Sequence, residues 1–218
     1  AQRPLVHVQL GLDVLLKPAW RGERAARWAD VVFSVSALHV AWMCLQGAAG
    51  RPWPVTAGVV AVHVVMAGLF LVRLPESGPP RVVMWLPALP SLALGAFVSA
   101  SPDLSFSPAA TLLFSLGALG MLLSMLALGR SFAVLPGARR LVDRGPYRLV
   151  RHPMYASELL MFAALVLHLH ALFAAGLLVL VGLALAWRIT AEERALGALG
   201  GHAEYTARVR HRLIPGVW

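Results

Sequence analysis

The sequence predicts an all-α, polytopic membrane protein, and three observations lead to this fold class. Of the 218 residues, 59% are apolar before glycine is counted, whereas soluble domains reach about 45–50% with glycine included. Charged residues make up only 13% of the chain. Several apolar runs approach the roughly 20 residues that a helix needs to cross a bilayer. A soluble enzyme, a disordered tail and a disulfide-rich secreted module are therefore excluded, because a water-soluble monomer of this size cannot bury so much apolar surface.

Four apolar runs have the length of single membrane spans. They are Asp30–Ala49, Val55–Leu74, Val82–Ala100 and Pro108–Leu128. Pro87 and Pro90 lie inside the third run, so we expect a kinked helix there. The earlier run from Leu5 to Leu16 is interrupted by polar residues, which favours an amphipathic helix lying on the membrane surface.

A fifth apolar run, from Ala156 to Trp187, is too long for one span. At about 1.5 Å per residue it would form a helix of about 48 Å. The run is therefore predicted to fold as a hairpin, with a short arm from about Ser157 to Leu169 and a long arm from about Leu172 to Arg194. Pro153, just before the short arm, can serve as the first residue of a helix. The prediction is thus about six membrane helices, the last two of them paired as a hairpin.

The positive charges support this helix count and give the orientation. With six spans, 18 of the 19 Lys and Arg residues fall on one side of the membrane, and Arg51 is alone on the other. This asymmetry predicts that both termini and the basic segments are cytoplasmic. The membrane would be the inner or plasma membrane if the protein is bacterial. The net charge of +9 is explained by anionic lipid, so we expect no nucleic-acid partner. The single cysteine, Cys44, permits no internal disulfide.

The chain forms one membrane domain with two parts. Residues 1–128 contain the surface segment and four spans, and residues 129–218 contain a basic loop, the hairpin and a polar tail. The hairpin brings the loop and the tail to the same membrane face. A functional site built from polar side chains is therefore expected where these two segments meet.

The loop at residues 145–155 reads GPYRLVRHPMY, with two tyrosines, two arginines and one histidine within nine residues. Gly145-Pro146 is typical of a turn, and His152 is expected to be extended because Pro153 follows it. Interfacial anchoring explains a single Tyr or Arg, but this density beside a helix start favours a functional site. Glu158 lies just inside the short arm, where a carboxylate needs a cation or a polar cavity, and Arg148 and Arg151 are the nearest candidate partners.

The tail offers two adjacent glutamates at the end of the long arm. Arg188 and Glu192 are four residues apart and can pair along the helix. Glu193 points about 100° away from Glu192, so it would be free to meet a ligand.

These segments together resemble the isoprenylcysteine carboxyl methyltransferase family, which has phospholipid and thiol methyltransferase relatives. The matching motifs are Gly145-Pro146-Tyr147-Arg148, Arg151-His152-Pro153-Met154-Tyr155, Glu192-Glu193-Arg194, Glu204-Tyr205 and Arg212-Leu213-Ile214-Pro215-Gly216. Ser157 stands where many members have glycine, and the adjacent Glu158 is also unusual. The likeness covers residues 129–218, whereas the first four spans match only in being apolar.

The resemblance implies an integral-membrane enzyme that moves a methyl group from S-adenosylmethionine to an acceptor entering from the bilayer. The acceptor would be lipophilic or small, and the carboxylate of a prenylcysteine-like lipid is preferred over a phospholipid amine or a thiol. The implied cofactor-binding residues are Gly145, Tyr147, Arg148, His152, Pro153, Tyr155, Glu192, Glu193 and Tyr205. The chemistry of methyl transfer then suggests Arg151, Arg188 and Glu193 as catalytic residues. Arg151 or Arg188 would orient a carboxylate acceptor, and Glu193 or His152 would take the proton of an amine or thiol.

Three other functions are weighed against this one. Membrane sterol reductases, which use NADPH, resemble the same C-terminal half but are generally longer. His39 and His63 fall near the middle of the first two spans, where facing imidazoles would ligate haem. No metal site is otherwise expected, and a transporter is disfavoured because the charges collect at one surface.

Overall fold

The computed structural model describes residues 20–74, 97–98, 100–101, 106–133, 141–167, 171–197 and 201–218, with side chains from residue 27 onward. Within these residues there are six α-helices. They are α1 (Trp20–Gln46), α2 (Trp53–Val72), α3 (Pro108–Leu128), α4 (Pro153–Val166), α5 (Ala171–Leu196) and α6 (His202–Arg208). Helices α1, α2, α3 and α5 are long and apolar enough to cross a membrane, and α4 is a shorter apolar helix. The all-α membrane fold is confirmed.

The helix boundaries follow the predictions most closely where the sequence carries a start signal. Helix α3 has the predicted bounds because the Ser107 hydroxyl caps it, accepting a hydrogen bond from the Ala110 amide at 3.2 Å. Helix α1 starts ten residues before the predicted Asp30, since its polar first turns continue the helix beyond the apolar stretch. Residues 82–96 of the predicted third span and the predicted surface helix at Leu5–Leu16 lie outside the described residues.

The predicted hairpin is confirmed, although its short arm begins earlier than expected. Helix α4 starts at Pro153 rather than near Ser157, because proline at the first helical position needs no amide partner. Its 14 residues give about 21 Å of helix, less than the hydrocarbon thickness. Helix α5 packs against α4 through Tyr155, Leu185 and Ile189, so the start of α4 lies beside the C-terminal half of α5.

Helix α3 packs closely against α4, the short arm of the hairpin. A Cβ added to Gly117 would lie 2.7 Å from Met161 Cγ and 3.0 Å from the Ser157 carbonyl oxygen. A Cβ on Gly120 would lie 2.6 Å from Ser157 Oγ. The small residues that permit this approach are therefore on α3, which explains why Ser157 is accommodated on α4.

Arg51 and Arg73 stabilise opposite ends of the α1–α2 pair. Arg51 is buried and donates hydrogen bonds to the carbonyl oxygens of Gly47 and Cys44, at 3.2 and 2.9 Å, near the C-terminus of α1. A cation is favourable there because the last carbonyls of a helix carry partial negative charge. At the other end Arg73 Nε donates to the Asp30 carboxylate at 2.7 Å. The isolated positive charge opposite the basic face thus has a structural role.

Candidate active site

Glu193 lies at the centre of an ion cluster that joins the basic loop, α5 and the tail. Its Oε1 accepts from Arg151 Nε at 2.7 Å and lies 3.3 Å from His152 Nε2. Its Oε2 accepts from Arg212 Nε at 2.9 Å. Three segments far apart in sequence therefore converge on one carboxylate.

Backbone hydrogen bonds hold the loop and the tail together around this carboxylate. The amides of Arg151 and His152 donate to the carbonyl oxygens of His211 and Arg212 at 2.9 and 2.8 Å. The Arg151 guanidinium also donates to the carbonyl oxygens at positions 209 and 210, both at 2.9 Å. His152 has φ −128° and ψ 60°, so the extended backbone predicted for it before Pro153 is wrong, although its amide still donates to the tail.

The two adjacent glutamates have different surroundings from those predicted. Glu193 is held by Arg151, His152 and Arg212, so the expectation that it stands free for a ligand is wrong. Glu192 accepts a hydrogen bond from the Tyr155 hydroxyl at 2.6 Å. The helical rotation of about 100° between neighbouring positions points Glu192 toward α4 and Glu193 toward the tail.

Six of the predicted site residues line one open cleft, here called the polar cleft. They are Tyr147, Arg151, His152, Tyr155, Glu192 and Tyr205. Apolar residues such as Leu128, Leu141 and Leu196 complete its walls. The empty space, including the part open to solvent, is about 650 Å³. The cleft thus offers a carboxylate, cationic and imidazole nitrogens, and three phenol rings.

Three other predicted site residues lie near the cleft but do not line it. Gly145 adopts a φ of 57°, a left-handed conformation that favours glycine, at the start of the 3₁₀ turn Gly145–Arg148. Arg148 is exposed and donates to the Asp143 carbonyl oxygen at 3.3 Å. Pro153 is buried at the start of α4. Among the described residues, these three are absent from the walls of the cleft.

Tyr205 connects α6 to the 3₁₀ turn through a buried hydrogen bond. Its hydroxyl donates to the Tyr147 carbonyl oxygen at 2.9 Å. Burial raises the pKa of Tyr205 to about 12 and also raises the pKa of Tyr147. Both phenols therefore stay protonated at neutral pH, and Tyr205 can act as the donor.

The raised pKa of Tyr205 predicts that stability falls at alkaline pH. The folded state keeps the phenol proton more tightly than the unfolded state, whose pKa is about 10. The stabilisation is therefore complete below pH 10 and is lost as pH rises from 10 to about 12. Tyr205→Phe should lower the unfolding free energy by about 1 kcal/mol at pH 8, the value of one hydrogen bond.

Melting temperatures of the two proteins over pH 8–12 test this prediction. Groups common to both titrate in both, so the difference between them isolates Tyr205. We expect the difference to shrink above pH 10, because the wild type then loses its advantage. A difference that is constant with pH would contradict the assigned hydrogen bond.

A second, apolar cavity lies between the helices, and sequence reasoning did not identify it. Its walls are formed by Phe33, Ser36, Ala37, Val40, Gly58, Val59, Val62, His63, Met66, Phe70, Phe114, Met121, Phe132, Met154, Tyr155, Glu158, Met161 and Arg188. The empty space is about 1210 Å³, again including open space. Met154 and Tyr155 line both this cavity and the polar cleft. The two spaces therefore adjoin at these residues.

Two buried charged residues lie in the wall of the apolar cavity. Glu158 is 3% exposed and Arg188 is 2% exposed. The Arg188 guanidinium also lies 4.7 Å from the centre of the Tyr155 ring. Arg148 and Arg151, the partners predicted for Glu158, are instead directed to Asp143 and Glu193. Glu158 and Arg188 therefore share the wall of one cavity, whereas the sequence alone suggested Glu192 as the partner of Arg188.

The haem alternative does not fit the positions of the two histidines. His63 lines the apolar cavity, and its Nδ1 lies 2.8 Å from the Val59 carbonyl oxygen. His39 is exposed on the outer surface of α1. In the described ranges, no group of three or more His, Cys, Asp or Glu side chains is arranged to hold a metal ion.

Residues 107–199 match the family model described as phospholipid methyltransferase. The matched segment contains α3, the basic loop and the hairpin, including Arg151, His152, Glu192 and Glu193. A comparison with curated proteins finds no match to the chain. The matched family is related to the isoprenylcysteine methyltransferases and uses S-adenosylmethionine, which favours methyl transfer over the reductase alternative. The chain is therefore an integral-membrane, S-adenosylmethionine-dependent methyltransferase whose residues 107–199 are similar to phospholipid methyltransferases.

Proposed function

We propose that this enzyme methylates a phospholipid whose acyl chains occupy the apolar cavity, while the polar cleft holds S-adenosylmethionine. The observation that carries the proposal is the wall shared by the two spaces. Met154 and Tyr155 line both, so a headgroup in one space and a cofactor in the other would meet beside these two residues. Such a reaction depends chiefly on alignment and on exclusion of water, which a narrow junction provides.

The chemistry of the polar cleft fits the cofactor. Glu192 can hold an ammonium group or ribose hydroxyls, and Arg151 and His152 can hold a carboxylate by charge-assisted hydrogen bonds. The rings of Tyr147 and Tyr205 can pack on an adenine. When bound, the cofactor supplies an electrophilic methyl group on a sulfonium. Glu193 does not line the cleft but holds Arg151 and His152 in position, so we assign it a positioning role.

The active site is proposed to face the cytoplasm. The ends of α2 and α3 are joined there, since the Leu74 amide donates to the Arg130 carbonyl oxygen at 2.8 Å. Arg144 Nε donates to the Ala127 carbonyl oxygen, also at 2.8 Å, which adds the basic loop to the same face. Arg51 lies at the opposite end. This distribution is the one that the positive-inside rule associates with a cytoplasmic site.

A carboxylate lipid of the prenylcysteine type is the second candidate acceptor. The observation that favours it is Arg188, a buried guanidinium in the wall of the apolar cavity. A guanidinium orients a carboxylate well, and an ionised carboxylate needs no base in order to be methylated. The phospholipid is preferred because of the family that residues 107–199 match.

Two experiments on the purified protein test the proposal. Calorimetric titration with S-adenosylhomocysteine should give micromolar binding, whereas NADPH should give none. Transfer of a labelled methyl group should then be measured with phosphatidylethanolamine vesicles, phosphatidylcholine vesicles and a farnesylcysteine. We expect label in phosphatidylethanolamine alone, since phosphatidylcholine has no nitrogen left to methylate. Label only in the farnesylcysteine would replace the phospholipid with the second candidate, and absence of S-adenosylhomocysteine binding would overturn the assignment of the cleft.

A further inference from the structure

We propose that Glu158 is a catalytic residue on the acceptor side, which binds the ammonium of an aminophospholipid and takes the proton that its nitrogen loses. This inference rests on the function proposed above. It assigns a role to a buried carboxylate that the cofactor site does not use.

The position of Glu158 is the first support. It lies three residues after Tyr155 on α4, so both side chains lie on one face of the helix. Tyr155 is in the wall between the two spaces, and Glu158 lines the apolar cavity on the acceptor side of that wall. A carboxylate that is 3% exposed inside an apolar helix of a membrane protein is costly, and such residues are usually functional.

The other polar groups in the same cavity complete a site for a zwitterionic headgroup. Arg188 of α5 contributes a guanidinium, and Tyr155 contributes a phenol. On α2, His63 Nδ1 donates to the Val59 carbonyl oxygen, so in the neutral imidazole the lone pair is on Nε2. Glu158 and His63 thus accept hydrogen bonds from an ammonium, whereas Arg188 suits a phosphate. The described residues of α1 and α3 in this wall add no titratable group.

The reaction requires a proton acceptor if the acceptor atom is nitrogen. One ammonium N–H proton moves to a Glu158 carboxylate oxygen, which frees the nitrogen lone pair. That pair forms the new N–C bond to the methyl carbon as the C–S bond breaks, and the electron pair of the broken bond stays on sulfur. The products are a methylated ammonium and S-adenosylhomocysteine. A carboxylate acceptor loses no proton, so it would not need Glu158.

Glu158→Gln tests this role because it keeps the shape of the side chain and removes its charge and basicity. With phosphatidylethanolamine vesicles we expect kcat to fall about 100-fold, within the range for loss of a general base. The Kd for S-adenosylhomocysteine should stay within twofold, because Glu158 is outside the polar cleft. The rate of the variant should also rise steeply with pH between 6 and 9, since free ammonium must then lose its proton to solvent. Glu204→Gln, the same change at an exposed carboxylate on α6, should leave all three quantities unchanged.

The Glu158→Asp variant provides a second test in case the Glu158→Gln variant does not fold. It keeps a carboxylate, so it should retain the wild-type shape of the pH profile at a reduced rate. The proposal is overturned if Glu158→Gln keeps kcat within threefold, or if kcat falls equally at every pH. It is also overturned if the wild type methylates farnesylcysteine and no amine, which would leave the methyltransferase itself intact. A wild type that binds S-adenosylhomocysteine but labels no lipid would overturn the phospholipid proposal and this one together.

Discussion

Replacing Glu193 with Gln is expected to weaken S-adenosylhomocysteine binding by about 100-fold. The carboxylate accepts charge-assisted hydrogen bonds from Arg151 and Arg212, with N–O distances of 2.7 and 2.9 Å. Such bonds are worth about 1.5–3 kcal/mol each, and an amide can replace only part of one. Loss of about 3 kcal/mol corresponds to roughly 100-fold in Kd. The effect reaches the cofactor because Arg151 and His152, which line the cleft, lose the group that positions them.

Calorimetry measures this change in Kd, and two control variants show whether it is specific to the Glu193 cluster. Glu204→Gln changes an exposed carboxylate on α6 and should leave the Kd unchanged. Arg212→Ala should weaken binding less than Glu193→Gln, and adding it to the Glu193 variant should have little further effect, because the two side chains act as one unit. A Kd within threefold of the wild type in Glu193→Gln would show that the cluster does not hold the site.

Gly117→Ala should be the most destabilising of the single-methyl changes considered for this chain. The added carbon would approach Met161 Cγ at 2.7 Å, the Ser157 carbonyl oxygen at 3.0 Å and the Met161 amide nitrogen at 3.1 Å. Two of these atoms belong to the backbone of α4, so the helices must separate. Overpacking of this kind costs about 1–3 kcal/mol and outweighs the helix propensity gained from alanine. The melting temperature in detergent should fall by several degrees.

Gly182→Ala is the matched control, because a Cβ at this position in α5 meets no atom of the described residues within 4 Å. It should leave the melting temperature unchanged or raise it slightly. Gly120→Ala should have an intermediate effect, since within the part of the chain that is described its Cβ would contact just the Ser157 side chain, at 2.6 Å to Oγ. Adding Ser157→Ala should restore much of that loss. If Gly117→Ala and Gly182→Ala melt at the same temperature, α3 and α4 are not packed as described.

Sequence reasoning succeeded where a local signal or a length limit decided the structure. Ser107-Pro108 gave the start of α3, and the excessive length of the fifth apolar run gave the hairpin. The hairpin in turn brings the loop and the tail together, so the sequence alone predicts Tyr147, His152 and Glu192 in one site, and all three line the polar cleft.

The partners within the site and the apolar cavity were not predictable in this way. The choice between Glu192 and Glu193 as the partner of Arg151 depends on the rotation of α5 relative to the tail, which no local pattern encodes. In a bilayer, apolar residues face both lipid and protein, so Phe33 and Met121 give no signal that they line a cavity. Arg188 had a plausible ion-pair partner in Glu192, four residues away, so no sequence pattern indicated that it lines a cavity.

The cluster around Glu193 also determines when the enzyme can become active during its synthesis. Arg151 bonds to carbonyl oxygens 58 and 59 residues further along the chain. At about 5–20 residues per second, the ribosome adds these partners roughly 3–12 s after Arg151. The nascent chain can insert α1 to α5 into the membrane during that interval, but its cleft is incomplete. Methyl transfer therefore begins only after the tail has been made and has docked.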